Sequence, residues 1–91
     1  MKQCIDQAKV NARLKKIEGQ IKAISGMIDK DIPCEDILVQ INAIKSAVHK
    51  VGQLILEGHL NHCVREAIDH GDADEAIKKF EKAVDYFAKM K

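Results

Sequence analysis

Apolar residues recur along this chain in alternating steps of four and three residues. The first series consists of Val10, Leu14, Ile17, Ile21, Ile24 and Ile28. A second series with the same steps consists of Ile37, Ile41, Ile44, Val48, Val51 and Ile55. Because an α-helix completes a turn every ~3.6 residues, such steps place every member of a series on one side of a helix. The spacing predicts two long amphipathic helices and no strand.

A short polar break separates the two series, and a turn follows the second. Residues 29–31 are Asp, Lys and Asp, and Pro33 suits the first position of the next helix, which needs no backbone N–H. We expect this second helix to run to about Asp69. Residues 70–72 are His, Gly and Asp, a combination typical of a helix C-cap followed by a turn.

A shorter third helix is predicted after this turn, with Asp72 or Asp74 as its N-cap. Its apolar seam consists of Ala76, Phe80, Ala83 and Phe87. In the second helix, Gly52 and Gly58 each lower the stability of the helix by up to about 1 kcal/mol relative to alanine. Because glycine is also a common site of kinks, a kinked helix is the alternative to a straight one. The sequence therefore predicts an all-α, three-helix protomer with a long central helix, forming one domain over residues 1–91.

Assembly of several copies is expected from the size of the chain and its apolar surface. A protein of 91 residues buries only roughly two thirds of the surface of its unfolded chain. The apolar side of the second helix is widened by Leu38, Leu54, Leu56 and Leu60. A helix that is apolar on more than one side packs against more than one neighbour, so we expect a dimer or a higher assembly.

Cys34, His59 and Cys63 form a candidate metal site that one chain cannot complete. His59 and Cys63 are four residues apart, so a helix presents both side chains on one face. Cys34 precedes His59 by 25 residues, which corresponds to roughly 38 Å along a continuous helix. An antiparallel second protomer would bring its own Cys34 to this pair, and twofold symmetry would repeat the site in the dimer.

Two thiolates and one imidazole form a soft, three-coordinate ligand set, which suits Cu(I) best. Zn(II) would need a fourth ligand, for which His62 and Cys4 are candidates, and Ni(II) would prefer additional nitrogen ligands. Cysteine and histidine also occur at this spacing as ordinary helix residues, so a purely structural role is the alternative. The odd number of cysteines, three in all, favours thiols that bind or react over structural disulfides.

The first part of the chain is basic. Residues 1–30 contain seven Lys and Arg residues against three Asp and Glu residues, although the net charge of the whole chain is only +1. Such a segment could contact phosphate groups, or it could be an ordinary solvated helix face. Because no stretch resembles a signal peptide or the ~18 apolar residues of a membrane span, we expect a cytoplasmic protein without a membrane partner.

Four features occur together at characteristic spacings: the cysteine after the first loop, and the segments NARLKKIEGQ at 11–20, QINAI at 40–44 and HLNHC at 59–63. In combination they resemble the copper-sensitive operon repressor (CsoR) family over essentially the whole chain. The resemblance implies a transcriptional repressor that forms a dimer-of-dimers homotetramer. It also implies that the apo protein binds operator DNA by a mode outside the helix-turn-helix class and releases the DNA when an inducer binds.

The resemblance further implies roles for individual residues. Cys34, His59 and Cys63 match the inducer ligands of the family, with Cys34 supplied by the neighbouring protomer. The positions expected to contact DNA are Arg13 and Lys50, with Lys16 and Gln20 as their companions.

Two positions depart from the copper sensors of the family. A tyrosine before the first cysteine and a glutamate on the third helix, which support the ligand histidine in those proteins, correspond to Pro33 and Lys79 here. Glu81 is the candidate substitute for that glutamate. Persulfide sensors of the family lack the histidine and formaldehyde sensors lack the last cysteine, whereas this chain has both. The resemblance therefore favours Cu(I) as the inducer, with persulfide, Ni(II) or formaldehyde as alternatives.

Two other classes of function receive less support. An enzyme is disfavoured because no carboxylate is apparent to orient the Cys–His pair and a small helical bundle offers little room for a substrate cleft. A helical metal-buffering or interaction protein without DNA binding is the remaining alternative, since no base-reading motif is visible.

Overall fold

The computed structural model describes residues 5–90, and within that range it contains helices but no strand. Helix α1 spans Gln7–Asp29 and helix α2 spans Cys34–Gly58. The helical run continues from α2 through a π-helical turn at His59–Val64 into the short helix α3, Arg65–Asp69. Helix α4 spans Ala73–Ala88. When the run over residues 34–69 is counted as one long central helix, the predicted all-α order of three helices is confirmed.

A Schellman motif connects α1 to α2. Its backbone hydrogen bonds run from the Ile32 N–H to the Met27 carbonyl (3.1 Å) and from the Asp31 N–H to the Ile28 carbonyl (3.2 Å). Asp31 adopts the left-handed conformation that the motif requires, with φ of 55°. The carbonyl of Pro33 already accepts backbone hydrogen bonds from the first turn of α2. Pro33 is therefore the N-cap of α2, whereas the sequence predicted it to be the first residue of the helix. The helix begins one residue later, at Cys34.

The turn between α3 and α4 has the same hydrogen-bond pattern, and the predicted turn at residues 70–72 is confirmed. The Asp72 N–H donates to the Ala67 carbonyl (2.8 Å), and the Gly71 N–H donates to the Ile68 carbonyl (3.3 Å). Gly71 takes the left-handed position with φ of 85°. Asp72 is the N-cap of α4, although its side chain makes no capping hydrogen bond.

The chain forms two compact units. The first unit is Ala8–Val51, and the second combines Gly52 and the described residues after it with those up to Gln7. The buried apolar residues among those described are Val10, Ile17 and Val51 in the first unit and Val64 in the second. That the whole chain acts as one domain stays a prediction.

The apolar seam of α1 has buried and exposed members. Val10 and Ile17 are each 5% exposed, whereas Ile21 and Ile28 are 54% and 60% exposed. In the part of α2 that belongs to the same unit, the exposed large apolar side chains are Leu38, Val39, Ile41 and Val48. None of the described helices is long and apolar enough to cross a membrane. Exposed apolar side chains on both helices leave a surface that a second copy of the chain could cover.

The predicted seam of α4 faces inward, since Ala76, Phe80, Ala83 and Phe87 are all half-buried. Gly52 in α2 lets the C-terminal end of this helix approach closely. A Cβ atom at Gly52 would lie 3.0 Å from the Met90 Cε and 3.6 Å from the Phe87 Cδ1. The absence of a side chain at this position therefore makes room for the end of the α4 segment.

Candidate metal centre

His59 and Cys63 both lie on the π-helical turn, and both are half-buried. The sequence predicted an α-helical turn here, whereas a π-helix pairs each N–H with the fifth preceding carbonyl and is frequent at functional sites. Gly58, which precedes the turn, keeps ordinary helical angles (φ −63°, ψ −40°), and so does Arg65 after it (φ −62°, ψ −42°). The helical run therefore passes through Gly58 without a break, and the change is in its hydrogen-bond register.

The imidazole of His59 packs on the aromatic ring of Phe80 from α4. The two ring centroids are 5.8 Å apart and the ring planes meet at 24°, which is a stacked arrangement. His59 also lines a cavity of about 500 Å³ whose wall is mainly apolar and includes Leu56, Lys79 and Tyr86. The stacking holds the His59 ring from one side, a contact that the sequence did not predict, although it placed Phe80 on the inner face of α4.

Lys79 occupies the α4 position of the glutamate that supports the ligand histidine in the copper sensors of the family, and Glu81 is the candidate substitute for that glutamate. Lys79 lines the same cavity as His59. Its Nζ lies 3.6 Å from Glu75 Oε1, and both side chains of this pair are largely exposed. Glu81 is exposed and is absent from the residues that line the cavity. A role of Glu81 in supporting His59 stays a prediction.

Cys63 lies against a histidine–carboxylate pair. The His62 Nδ1 is 3.9 Å from Cys63 Sγ, and the His62 Nε2 is 3.5 Å from Glu66 Oε2. The three residues share a pocket of about 300 Å³ with His70 and Asp72. In this structure Cys63 is a disulfide cysteine, so the expectation that thiols would prevail over disulfides is wrong for it, and a ligand role requires its reduced form.

Cys34 is the first residue of α2, and its thiol is free and exposed. It belongs to the first compact unit, whereas His59 and Cys63 belong to the second. Among residues 5–90, no three His, Cys, Asp or Glu side chains are placed to hold a metal ion. Cys4, a candidate fourth ligand for zinc, lies outside the described residues. The ligand set of Cys34, His59 and Cys63 therefore stays a prediction.

The residues expected to contact DNA all lie in the first compact unit. Arg13 and Lys16 are exposed on α1, and Lys50 is exposed on α2. Gln20 is half-buried, and its Oε1 is buried without a hydrogen-bond partner in the described structure. Arg13, Lys16 and Gln20 are separated by steps of three and four residues, so they follow one face of α1. Their contacts with DNA stay a prediction.

Comparison with known proteins places this arrangement in a family. The family model described as "Metal-sensitive transcriptional repressor" matches residues 6–86. The copper-sensing transcriptional repressor CsoR of Bacillus subtilis (strain 168) is 41% identical over 85 residues, which are 93% of this chain and 81% of the relative. The proteins of this family are repressors of transcription and not enzymes.

Solved structures agree with the sequence comparison. The copper-sensing repressor CsoR with Cu(I) from Geobacillus thermodenitrificans NG80-2 superposes with a TM-score of 0.84 at 40% identity, covering 90% of this chain and 85% of that chain. The nickel-responsive transcriptional regulator InrS superposes with a TM-score of 0.83 at 30% identity, covering 96% of this chain and 98% of that chain. The chain thus belongs to the family of metal-sensitive transcriptional repressors.

Proposed function

We propose that this repressor senses Cu(I) and that the ligands are Cys34 of one protomer and His59 and Cys63 of another. The observation that carries the proposal is that His59 and Cys63 both lie on one π-helical turn, while the thiol of Cys34 is free and exposed. In this proposal a second copy of the chain supplies Cys34, which lies 25 residues before His59 in the sequence.

The chemistry of the donors fits Cu(I). When both cysteines are reduced, the three side chains offer two thiolates and one imidazole, a soft set that is one ligand short of the tetrahedron preferred by structural Zn(II). Stacking on Phe80 limits rotation of the His59 ring, and a restrained ligand loses less conformational entropy when a metal binds. The copper-sensing relatives are consistent with this choice.

DNA binding by the apo protein is the second part of the proposal. Arg13, Lys16 and Lys50 are exposed cations in one compact unit, and cations of this kind bind phosphate groups through release of counterions. A homotetramer would multiply these contacts. Inducer binding weakens DNA binding only to the extent that the inducer prefers the DNA-incompetent arrangement, and such coupling is typically ~1–3 kcal/mol.

Ni(II) is the second candidate inducer, because a nickel-responsive regulator superposes on nearly the whole chain. Ni(II) prefers more nitrogen ligands than the proposed set contains. His62, next to Cys63, is the nearest additional imidazole in the sequence. A nickel site would therefore require His62 to turn away from Glu66 and join the ligands.

Competing inducers can be separated by titrating the anaerobically reduced protein with Cu(I), Ni(II), Zn(II) and a persulfide donor. The readout is fluorescence anisotropy of a labelled duplex that the apo protein selects from a randomised library. We expect Cu(I) to release the DNA from the wild type and to act weakly on His59→Ala, because that variant lacks the only nitrogen ligand. His70→Ala is the matched control, since it removes another histidine of the same unit and should respond as the wild type does.

Release of the DNA by the persulfide donor and not by Cu(I) would show that the inducer is a persulfide and not copper. Release by Ni(II) at lower concentration than by Cu(I) would favour the nickel alternative. If no duplex shows salt-sensitive binding to the wild type, the DNA-binding part of the proposal is wrong.

A further inference from the structure

The side chain of His62 lies between Cys63 and Glu66 in the π-helical turn and the start of α3. Its Nδ1 faces the Cys63 sulfur at 3.9 Å, and its Nε2 faces the Glu66 carboxylate at 3.5 Å. His62 and Glu66 are four residues apart, a spacing that brings helical side chains together. The ring therefore has one nitrogen toward the sulfur and the other toward the carboxylate.

We propose that His62, oriented by Glu66, is a positioning residue that donates a hydrogen bond from Nδ1 to the Cys63 thiolate and holds it in place for the metal. The inference rests on the proposed function, because it takes Cys63 as a ligand. Groups that orient metal ligands are a general feature of metal sites and tune both the affinity and the electronic properties of the metal.

Two properties of the contact make it suitable for this purpose. His62 and Cys63 are adjacent residues, so the position of the ring depends on local backbone and is available to the reduced sulfur as well as to the disulfide sulfur seen here. The sulfur and the Glu66 carboxylate also face different nitrogens of the ring, so the ring can contact both groups at the same time.

The neighbouring histidine of the same pocket does not make this contact. The His70 Nδ1 lies 3.0 Å from the backbone carbonyl of Glu66, and no contact of its ring with the Cys63 sulfur is seen in the described residues. His70 is exposed, as His62 is. His70 therefore supplies a matched control of the same residue type in the same pocket.

The test uses His62→Leu, which keeps bulk beside the sulfur but has no N–H, and His62→Asn, whose side-chain amide carries an N–H near the position of Nδ1. The side chains of His62 and Glu66 are 52% and 51% exposed, so we expect a loss at the low end of the ~10–100-fold range seen for outer ligand-orienting groups. His62→Leu should weaken Cu(I) binding about tenfold, His62→Asn should recover most of this loss, and Glu66→Gln should fall between the wild type and His62→Leu.

Cu(I) affinity is measured by competition with a chromophoric chelator on the reduced, anaerobic protein, and circular dichroism confirms that each variant is folded. The second measurement is the ultraviolet copper–thiolate charge-transfer band, whose energy depends on hydrogen bonding to the sulfur. A lost hydrogen bond to the thiolate should shift it to lower energy in His62→Leu and restore it in His62→Asn. His70→Leu should match the wild type in both measurements.

A metal-free measurement separates failure of this inference from failure of the proposed function. In the reduced apo protein, the iodoacetamide alkylation rate of Cys63 is compared with that of Cys34 by mass spectrometry of the peptides. Loss of the N–H donor should change the alkylation rate of Cys63 alone, because the hydrogen bond acts on the sulfur of Cys63 and not on that of Cys34. If the wild type binds no Cu(I) but shows this pattern, the copper proposal fails and the positioning role stands.

Two results would overturn the inference. The first is a His62→Leu protein whose Cys63 alkylation and Cu(I) affinity both equal those of the wild type. The second is the loss of one nitrogen from the first coordination shell of Cu(I) in that variant, measured by X-ray absorption, because it would make His62 a direct ligand and not a positioning residue.

Discussion

Replacing Ile21 with alanine tests whether the exposed members of the α1 seam are covered by a second copy of the chain. Ile21 is 54% exposed in the single chain, although it belongs to the same apolar series as Ile17, which is 5% exposed. If the proposed dimer uses this face, the remaining surface of Ile21 becomes buried only on association. The substitution should then weaken the dimer and leave the fold of each chain largely intact.

The expected size of the effect follows from the exposed fraction. The change from isoleucine to alanine removes three carbons, at ~0.8 kcal/mol for each when fully buried. Of this ~2.4 kcal/mol, the 54% that is exposed is available for association, which gives about 1.3 kcal/mol per chain. A twofold interface contains the residue twice, so the dimer should lose about 2.6 kcal/mol, or roughly 80-fold in its dissociation constant.

Sedimentation velocity over a dilution series measures the dissociation constant. Lys15→Ala is the surface control, because it lies about 120° from Ile21 around α1 and is exposed. Ile17→Ala is the core control and should lower the free energy of unfolding by ~2–5 kcal/mol. Equal dissociation constants for Ile21→Ala, Lys15→Ala and the wild type would show that the exposed side of α1 is not the interface.

Three further predictions concern DNA binding, the shared site and packing. Arg13→Ala should weaken DNA binding and reduce its salt dependence by about one counterion for each protomer that contacts the DNA, measured in a salt titration. An unchanged slope would remove Arg13 from the interface. A mixed dimer of Cys34→Ala and Cys63→Ala chains should bind about one Cu(I) tightly by chelator competition, whereas neither parent should; tight binding by a monomer would contradict a shared site. Gly52→Leu should lower the free energy of unfolding, measured in urea, by ~1–3 kcal/mol because the leucine side chain displaces the end of the α4 segment. Gly52→Ala should lower it far less. Equal stability of Gly52→Leu and the wild type would contradict the packing.

The helices could be predicted from the sequence because the spacing of apolar residues indicates where each helix runs, and turn-forming residues independently indicate where it ends. The steps between Val10 and Ile28 fall inside α1, and Gly71 marks the turn before α4. Periodicity alone could not tell which seam members one chain covers. Ile17 and Ile21 are equivalent in the pattern, and their different burial depends on which surfaces lie opposite them.

The candidate site was predicted in its residue types and only partly in its surroundings. The spacing of His59 and Cys63 suits a helical turn, but it does not reveal whether the N–H groups pair with the fourth or the fifth preceding carbonyl. The disulfide state of Cys63 was predicted incorrectly. The four-residue spacing of His62 and Glu66 did carry a signal for their pairing, whereas the contact with the Cys63 sulfur required three-dimensional coordinates.

The two Schellman turns use the same hydrogen bonds but differ in the residue at the left-handed position. Gly71 adopts this conformation without steric cost, whereas the Cβ atom of Asp31 opposes it by roughly 1 kcal/mol. The more strained turn is the one that precedes Cys34. Local opening should therefore require less free energy there, and in native-state hydrogen exchange we expect the amide of Ile32 to be less protected than that of Asp72.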